Sequence, residues 1–184
     1  MAGEPTAATD VVPQQAGSDN AWRILDTIRD WIKHAEAKAA ATLTAAGVVA
    51  GVLYSLVNGD GDRSVWFASA AAASAACTVA AGLTAGLVLW PRQQLTVGTM
   101  PTSLLFYDHI GRAYSASHSD YSDRLTELLR DEDALVAAVV DQIWANALVA
   151  RRKFRWVGRS IGLLLFALLG LAVAAVLSAA ETAG

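Results

Sequence analysis

The sequence predicts an all-α membrane protein with three transmembrane helices, helical extensions on the cytoplasmic side and an oligomeric assembly. The 184 residues are 54% hydrophobic and 17% charged, which is too apolar for an ordinary soluble domain. Three stretches, 39–59, 64–90 and 160–180, contain no charged side chain. Each is long enough to cross about 30 Å of hydrocarbon as a helix.

The three apolar stretches differ in composition. The third is rich in leucine and is expected to face lipid, whereas residues 68–81 of the second are nearly all Ala, Ser and Thr and should pack against protein. Gly47 with Gly51 and Gly82 with Gly86 form GxxxG pairs, which allow close helix contact but are common by chance in such helices. The predicted organisation is a disordered tail (1–18), a cytoplasmic amphipathic helix (19–38), membrane spans at 39–57, 66–90 and 160–180, and a cytoplasmic helical sensor region (91–159).

The distribution of Lys and Arg predicts the orientation. Four basic residues precede the first span, one lies between the first two spans, nine lie between the second and third, and none follows the third. By the positive-inside rule the N-terminus and residues 91–159 are cytoplasmic and the C-terminus is outside.

Charge and cysteine content exclude several classes of partner. With 14 Lys and Arg against 17 Asp and Glu, the chain has no general basic surface, so we expect no nucleic-acid partner. Cys77 is the one cysteine, which excludes an internal disulfide and a multi-cysteine metal site.

Two segments next to the spans have apolar residues at alternating spacings of three and four, which is the pattern of a coiled-coil seam. Acidic residues 131–133 favour a helix start there. Water would penalise these stripes, so they should pack on each other or on neighbouring subunits. The first seam is Ile24, Ile28, Trp31 and Ala35, and the second includes Val136, Val140, Ile143, Ala147, Phe154 and Val157.

The sequence offers little support for catalysis or metal binding. The three histidines lack the spacing of a metal-ligand pair, and no glycine-rich phosphate loop is present. Ser117, His118 and Asp120 are close in sequence, most simply in a polar turn. Because the spans contain no ionisable Asp, Glu, Lys or Arg, an ion relay has no carrier. We therefore expect no enzyme activity, no metal and no cofactor.

Residues 104–125 combine aromatic side chains with an arginine, which together could stack a base and bind a phosphate. The same residues would also pack two short helices together. The basic group Arg151, Arg152, Lys153, Arg155 and Arg159 could likewise either reach lipid headgroups or bind an anion.

The order of three motifs around the spans resembles the membrane effectors of Pycsar antiphage systems. The motifs are residues 35–40 (Ala-Glu-Ala-Lys-Ala-Ala), residues 104–110 with Tyr121 following, and residues 141–147 leading to 152–156. The resemblance covers roughly residues 20–178. This chain has Glu36 where the family often has Asp, a change that keeps the charge.

The resemblance implies an abortive-infection effector of the bacterial inner membrane. A partner cyclase would make a cyclic pyrimidine nucleotide, cCMP or cUMP, and the effector would respond by impairing the membrane. We expect ligand contacts from Tyr107, His109, Arg112 and Tyr121, with Arg152 and Lys153 as phosphate partners. The alternative is a non-enzymatic membrane adaptor whose cytoplasmic helices dock a protein. Substitutions at Val140, Ile143 and Phe154 would then matter more than those at Arg112 or Tyr121.

Overall fold

The computed structural model describes residues 11–59, 64–90 and 103–183, and in these ranges every regular element is a helix. The predicted all-α fold is confirmed. The five helices are α1 (Val11–Val57), α2 (Val65–Leu89), α3 (Tyr107–Ala113), α4 (His118–Arg130) and α5 (Glu132–Ala183).

Three of these helices, α1, α2 and α5, are long and apolar enough to cross a membrane, as predicted. The 52 residues of α5 make a helix about 78 Å long, far more than a bilayer core requires. The apolar spans therefore occupy only part of α1 and α5, and the remainder of each helix is an extension beyond the span.

The chain forms two compact units. Of the described residues, the first contains 11–31 and 103–150, and the second contains 32–59, 64–90 and 151–183. Helices α1 and α5 each contribute residues to both units without a break in the helix.

The second unit packs α1, α2 and α5 through two apolar clusters. Ala35 and Ala39 of α1, Val88 of α2 and Val157 of α5 form one cluster. Leu53, Phe67, Ala71 and Ala174 form the other. In this unit α1 and α5 therefore run in the same direction and α2 runs antiparallel to both.

Small residues allow α2 and α5 to approach closely, as the composition of the second span predicts. Ser74, fully buried on α2, donates from its hydroxyl to the Ala167 carbonyl on α5 at 2.8 Å. A Cβ added at Gly170 would lie 3.1 Å from the Ser74 Cβ and 3.3 Å from the Ala70 carbonyl oxygen. Close contact thus occurs at Gly170, whereas Cβ atoms at Gly47 and Gly51 would meet nothing within 4 Å.

The first unit packs the two ends that α1 and α5 contribute to it. Ala21, Leu25 and Val139 form a buried apolar cluster in this unit. Half-buried side chains pack against this cluster from α1, α5 and the segment before α3, and these are Trp22, Leu105, Leu135 and Ile143. The prediction that the extensions pack on each other is borne out within this unit.

The face of α5 that is buried within the chain differs from the predicted seam. Val139, Gln142 and Ser160 are buried together with Val157, whereas Val140 and Phe154 are 50% and 38% exposed. Ala147 is also exposed, and Val136 and Ile143 are half-buried. The stripe buried within the chain therefore shares Val157 with the predicted seam and adds the polar Gln142 and Ser160.

The N-terminal part of α1 also differs from the prediction. The helix begins at Val11, within the segment expected to be a disordered tail up to residue 18. Pro13 falls in the first turn, where a missing N–H breaks no helical hydrogen bond. Residues 1–10 of the predicted tail, and residues 91–102 of the predicted sensor region, lie outside the described residues.

Candidate functional site

A polar network centred on Ser103 joins three elements of the first unit. Gln142 on α5 donates from its side-chain amide to the Ser103 hydroxyl at 2.7 Å, and the Leu105 backbone N–H donates to the same oxygen at 3.3 Å. The Ser103 backbone N–H donates to Nδ1 of His109 on α3 at 2.9 Å. Ser103 therefore links α5, the segment before α3, and α3 itself.

This network fixes which nitrogen of His109 can donate. Because Nδ1 accepts a hydrogen bond from Ser103, the neutral ring carries its proton on Nε2. The ring of Phe106 packs edge-on against the imidazole with 5.1 Å between centroids. His109 thus offers one oriented donor beside an aromatic ring.

The aromatic residues predicted for ligand contact lie around the same segment. Tyr107 is 64% exposed, and its ring centroid is 4.9 Å from that of Phe106. Tyr121 on α4 donates from its hydroxyl to the Leu104 carbonyl at 3.3 Å, and its ring packs 5.5 Å from that of Tyr114. Tyr121 therefore fastens α4 to the segment before α3, while Tyr107 leaves a face open to solution.

The guanidinium of Arg112 is paired within α3. Its Nε donates to Oδ1 of Asp108 at 3.2 Å, and its Nη2 lies 3.1 Å from Oδ2. This two-point contact orients the planar guanidinium, and the Arg112 side chain remains 64% exposed. A phosphate that binds Arg112 would compete with the Asp108 carboxylate.

The other two predicted residues, Arg152 and Lys153, belong to the second unit. Arg152 is exposed. The Lys153 ammonium forms an ion pair with Glu36 on α1, and the Lys153 side chain is only 19% exposed. Two residues further along α1, the Lys38 ammonium lies 5.9 Å from the centre of the Phe154 ring. We call the pairs Glu36–Lys153 and Lys38–Phe154 the α1–α5 clasp.

The α1–α5 clasp predicts that opposite charges at positions 36 and 153 stabilise the protein. Lys153→Glu places two carboxylates together and is expected to lower the free energy of unfolding by about 1 kcal/mol. Adding Glu36→Lys reverses the pair and should recover most of that loss. Thermal unfolding of the purified protein in detergent measures both. Arg152→Glu is the matched control, because it makes the same charge change at an exposed neighbour. If Arg152→Glu lowers the free energy of unfolding as much as Lys153→Glu does, the loss does not come from the ion pair.

Other residues that the sequence suggested for chemistry have structural roles. Ser117 is the N-cap of α4 and its hydroxyl accepts from the Asp120 backbone N–H at 3.3 Å. Across the described residues, no group of three or more His, Cys, Asp or Glu side chains is placed to hold a metal ion.

Comparisons with known proteins identify the family. The profile of the Pycsar effector protein domain, PycTM, matches residues 20–180. The Pycsar effector protein PtPycTM of Propioniciclava tarda is 31% identical over 177 residues, which cover 96% of this chain and 84% of that protein. The chain belongs to the PycTM family of Pycsar effectors. No solved structure matches it.

As a member of the PycTM family, this protein is an antiphage defence effector. The context of the family is cyclic-nucleotide signalling. Together with the three apolar helices, family membership also places the protein in a membrane.

The motifs that carried the resemblance to Pycsar effectors contact one another in pairs. Residues 35–40 meet residues 152–156 in the α1–α5 clasp. The segment 104–110 meets 141–147 through Leu105 and Ile143, which pack in one cluster, and through the Ser103 bonds to His109 and Gln142. The charge kept at Glu36 is used in the ion pair with Lys153.

Sequence reasoning about this PycTM protein missed Ser103 and Gln142. Neither is charged or aromatic, and Gln142 is buried although it is not one of the predicted seam residues. A signal was present, since Gln142 lies within one of the resembling motifs.

Proposed function

We propose that this PycTM protein is an effector that binds a cyclic pyrimidine nucleotide, cCMP or cUMP, made by a partner cyclase, and then impairs the integrity of the host membrane. The binding residues in this proposal are Tyr107, His109, Arg112 and Tyr121, now joined by Ser103 and Gln142. Arg152 and Lys153 stay predicted phosphate partners, with Lys153 engaged by Glu36.

The chemistry of these residues suits such a ligand. A pyrimidine base presents a flat ring and a carbonyl, for which Tyr107 or Phe106 offers a stacking face and His109 Nε2–H offers a donor. A cyclic phosphate carries one negative charge, for which the oriented guanidinium of Arg112 is a partner.

The observation that most supports a signalling role is the position of Gln142. It lies on α5, and α5 continues as one helix from Glu132 to Ala183, which includes the third apolar span. A ligand that takes the Gln142 amide as a binding partner would draw it from Ser103 and shift the population of α5 conformations. The change would therefore act on a helix that also enters the membrane.

The orientation is part of this proposal. The N-terminus and residues 91–159 would be cytoplasmic, where a nucleotide made by the cyclase would be present, and the C-terminus would be outside.

Binding can be tested directly on the full chain in lipid nanodiscs. Calorimetric titration with cCMP, cUMP, cAMP and cGMP should show binding of one pyrimidine nucleotide only. Gln142→Leu removes the amide and should weaken that binding, whereas Asn146→Leu, four residues further along α5, serves as the matched control. Equal binding of all four nucleotides, or of none by folded protein, would contradict the proposal.

Homo-oligomer formation follows from the part of the predicted seam that faces outward. Val140, Ala147 and Phe154 are seven residues apart on α5 and are all exposed in the single chain. Replacing Val140 and Ala147 by Asp should shift the protein from oligomer to monomer in light scattering of the purified protein. Leu129→Asp changes an equally exposed apolar residue on α4 and should leave the assembly unchanged. An oligomeric state that none of these substitutions changes would contradict an oligomer interface at this seam.

A second candidate function is a membrane adaptor that docks a protein and binds no small molecule. The observation in its favour is the exposed apolar surface of the first unit, where Trp31, Val140 and Trp144 are 55%, 50% and 45% exposed. The two candidates differ in which variant loses function in phage-challenged cells. If the protein is an adaptor, Val140→Asn abolishes function and Arg112→Ala preserves it. If the protein is a nucleotide effector, Arg112→Ala abolishes function.

A further inference from the structure

Four arginines precede the apolar segment of α5, and all four are exposed. We call them the arginine row: Arg151, Arg152, Arg155 and Arg159. On the same turns Val157 and Ser160 are buried and Lys153 is mostly buried against Glu36. At about 100° per residue, the row covers an arc of about 100° on the opposite side of the helix. The row therefore faces away from the rest of the second unit.

The charge of the row is not balanced by neighbouring carboxylates. On α5 no Asp or Glu occurs from residue 142 to residue 180. On the part of α1 that belongs to this unit, residues 32–57, the one carboxylate is Glu36, and it is paired with Lys153. A concentrated positive charge of this kind attracts anions.

One member of the row is held in place by an aromatic ring. The Arg159 guanidinium lies 4.9 Å from the centre of the Trp156 ring. Trp156 is itself packed against the cluster of Ala35, Ala39, Val88 and Val157. A guanidinium stacked on a fixed ring loses less freedom when it binds a phosphate.

The side of α5 that carries the row continues as an exposed apolar surface. Phe166 and Val173 follow Arg159 at intervals of seven residues, and they are 67% and 45% exposed. Leu169, two heptads after Arg155, is 61% exposed. Phe166 lies about 10 Å along the helix axis from Arg159, since the rise is about 1.5 Å per residue. One side of α5 thus has cations at one end and an apolar strip directly beyond them.

We propose that this side of α5 is a binding site for an anionic phospholipid. Arg151, Arg155 and Arg159 of the arginine row hold the phosphodiester headgroup, and the acyl chains lie along Phe166, Leu169 and Val173. A free phosphate would use the cations alone, whereas a phospholipid uses both the cations and the adjoining apolar strip, so the arrangement favours the lipid.

Native mass spectrometry of the full chain in detergent tests this proposal. With phosphatidylglycerol and phosphatidylcholine titrated separately, the natural protein should bind phosphatidylglycerol roughly tenfold or more tightly. Replacing Arg151, Arg155 and Arg159 together by Gln should abolish the difference. Replacing Arg23, Arg124 and Arg130 by Gln makes the same change in net charge on exposed residues of the first unit and should leave the difference intact. Equal effects of the two triple variants would overturn the proposal.

Two further measurements identify the source of the phosphate and guard against misfolding. Inorganic phosphate at millimolar concentration should not displace phosphatidylglycerol, and displacement would overturn the lipid site in favour of a free-anion site. Replacing the same three arginines by Lys keeps the charge and should retain part of the preference, and a loss as complete as with Gln in helical, monodisperse protein would contradict a charge-based site. No nucleotide is present, so failure here is distinct from failure of the proposed function.

Discussion

Arg112→Ala is expected to abolish the response to the cyclic nucleotide while membrane insertion stays normal. A charge-assisted hydrogen bond to phosphate contributes about 1.5–3 kcal/mol, so losing the guanidinium should weaken binding by roughly tenfold to a hundredfold. The side chain is 64% exposed and contacts Asp108 of the same short helix, so its removal should cost little stability. Calorimetric titration in nanodiscs and a membrane-fraction assay measure the two effects.

Two further variants make this expectation specific. Arg124→Ala removes an exposed arginine from α4 and should leave binding unchanged. Asp108→Asn removes the carboxylate that competes for Arg112, so it should bind the nucleotide as well as or better than the natural protein. Normal nucleotide binding by the Arg112→Ala variant would show that Arg112 is not part of the binding site.

Gly170→Ala is expected to destabilise the membrane part of the protein by about 1–3 kcal/mol. The added Cβ would lie 3.1 Å from the Ser74 Cβ, 3.2 Å from the Ser74 Cα and 3.3 Å from the Ala70 carbonyl oxygen. Two of these three atoms are backbone, so α2 and α5 must separate to make room. The separation also lengthens the buried bond from the Ser74 hydroxyl to the Ala167 carbonyl. Unfolding in sodium dodecyl sulfate, followed by circular dichroism, measures the loss.

Gly162→Ala is the matched control in the same apolar segment. A Cβ there would meet nothing within 4 Å, so the variant should gain up to about 1 kcal/mol from better helix propensity. The two substitutions therefore have opposite expected signs. Equal stability of the two variants would show that α2 and α5 do not pack as described.

Segments with a strong composition signal were predictable from the sequence. The three uncharged stretches became parts of α1, α2 and α5, and the Ala-rich second span packs through small residues as expected. The helix start near residues 131–133 is also where α5 begins, with the Asp131 carboxylate accepting from the Ala134 backbone N–H. These features follow from composition and from local helix chemistry, which a single sequence shows directly.

Features that depend on the packing partner were not predictable. The stripe of α5 buried within the chain includes Gln142 and Ser160, because a buried polar side chain can be satisfied by a hydrogen bond that the sequence does not show. Of the four glycines in GxxxG pairs, Gly82 alone would place a Cβ within 4 Å of another atom, the Leu43 side chain, and the tightest approach is at Gly170. A small residue permits close contact, but the opposing helix decides where contact occurs.

The candidate site was partly predictable for the same reason. Aromatic residues and Arg112 drew attention to residues 104–125. In the structure His109 contacts Ser103, just before this segment, and Tyr121 contacts Leu104 within it. Ser103 and Gln142 are joined by a bond that spans 39 residues of sequence, and no local pattern marks it. Contact of any of these residues with a ligand stays a prediction.

Leakage from liposomes that contain the purified protein tests the central claim most directly. Release of a trapped dye should follow addition of one pyrimidine nucleotide, cCMP or cUMP, and should not follow cAMP, cGMP or buffer. The Arg112→Ala variant, reconstituted to the same density, should show no release with any nucleotide. Folded, inserted protein that releases dye with no nucleotide, or equally with all four, would contradict a nucleotide-gated effector.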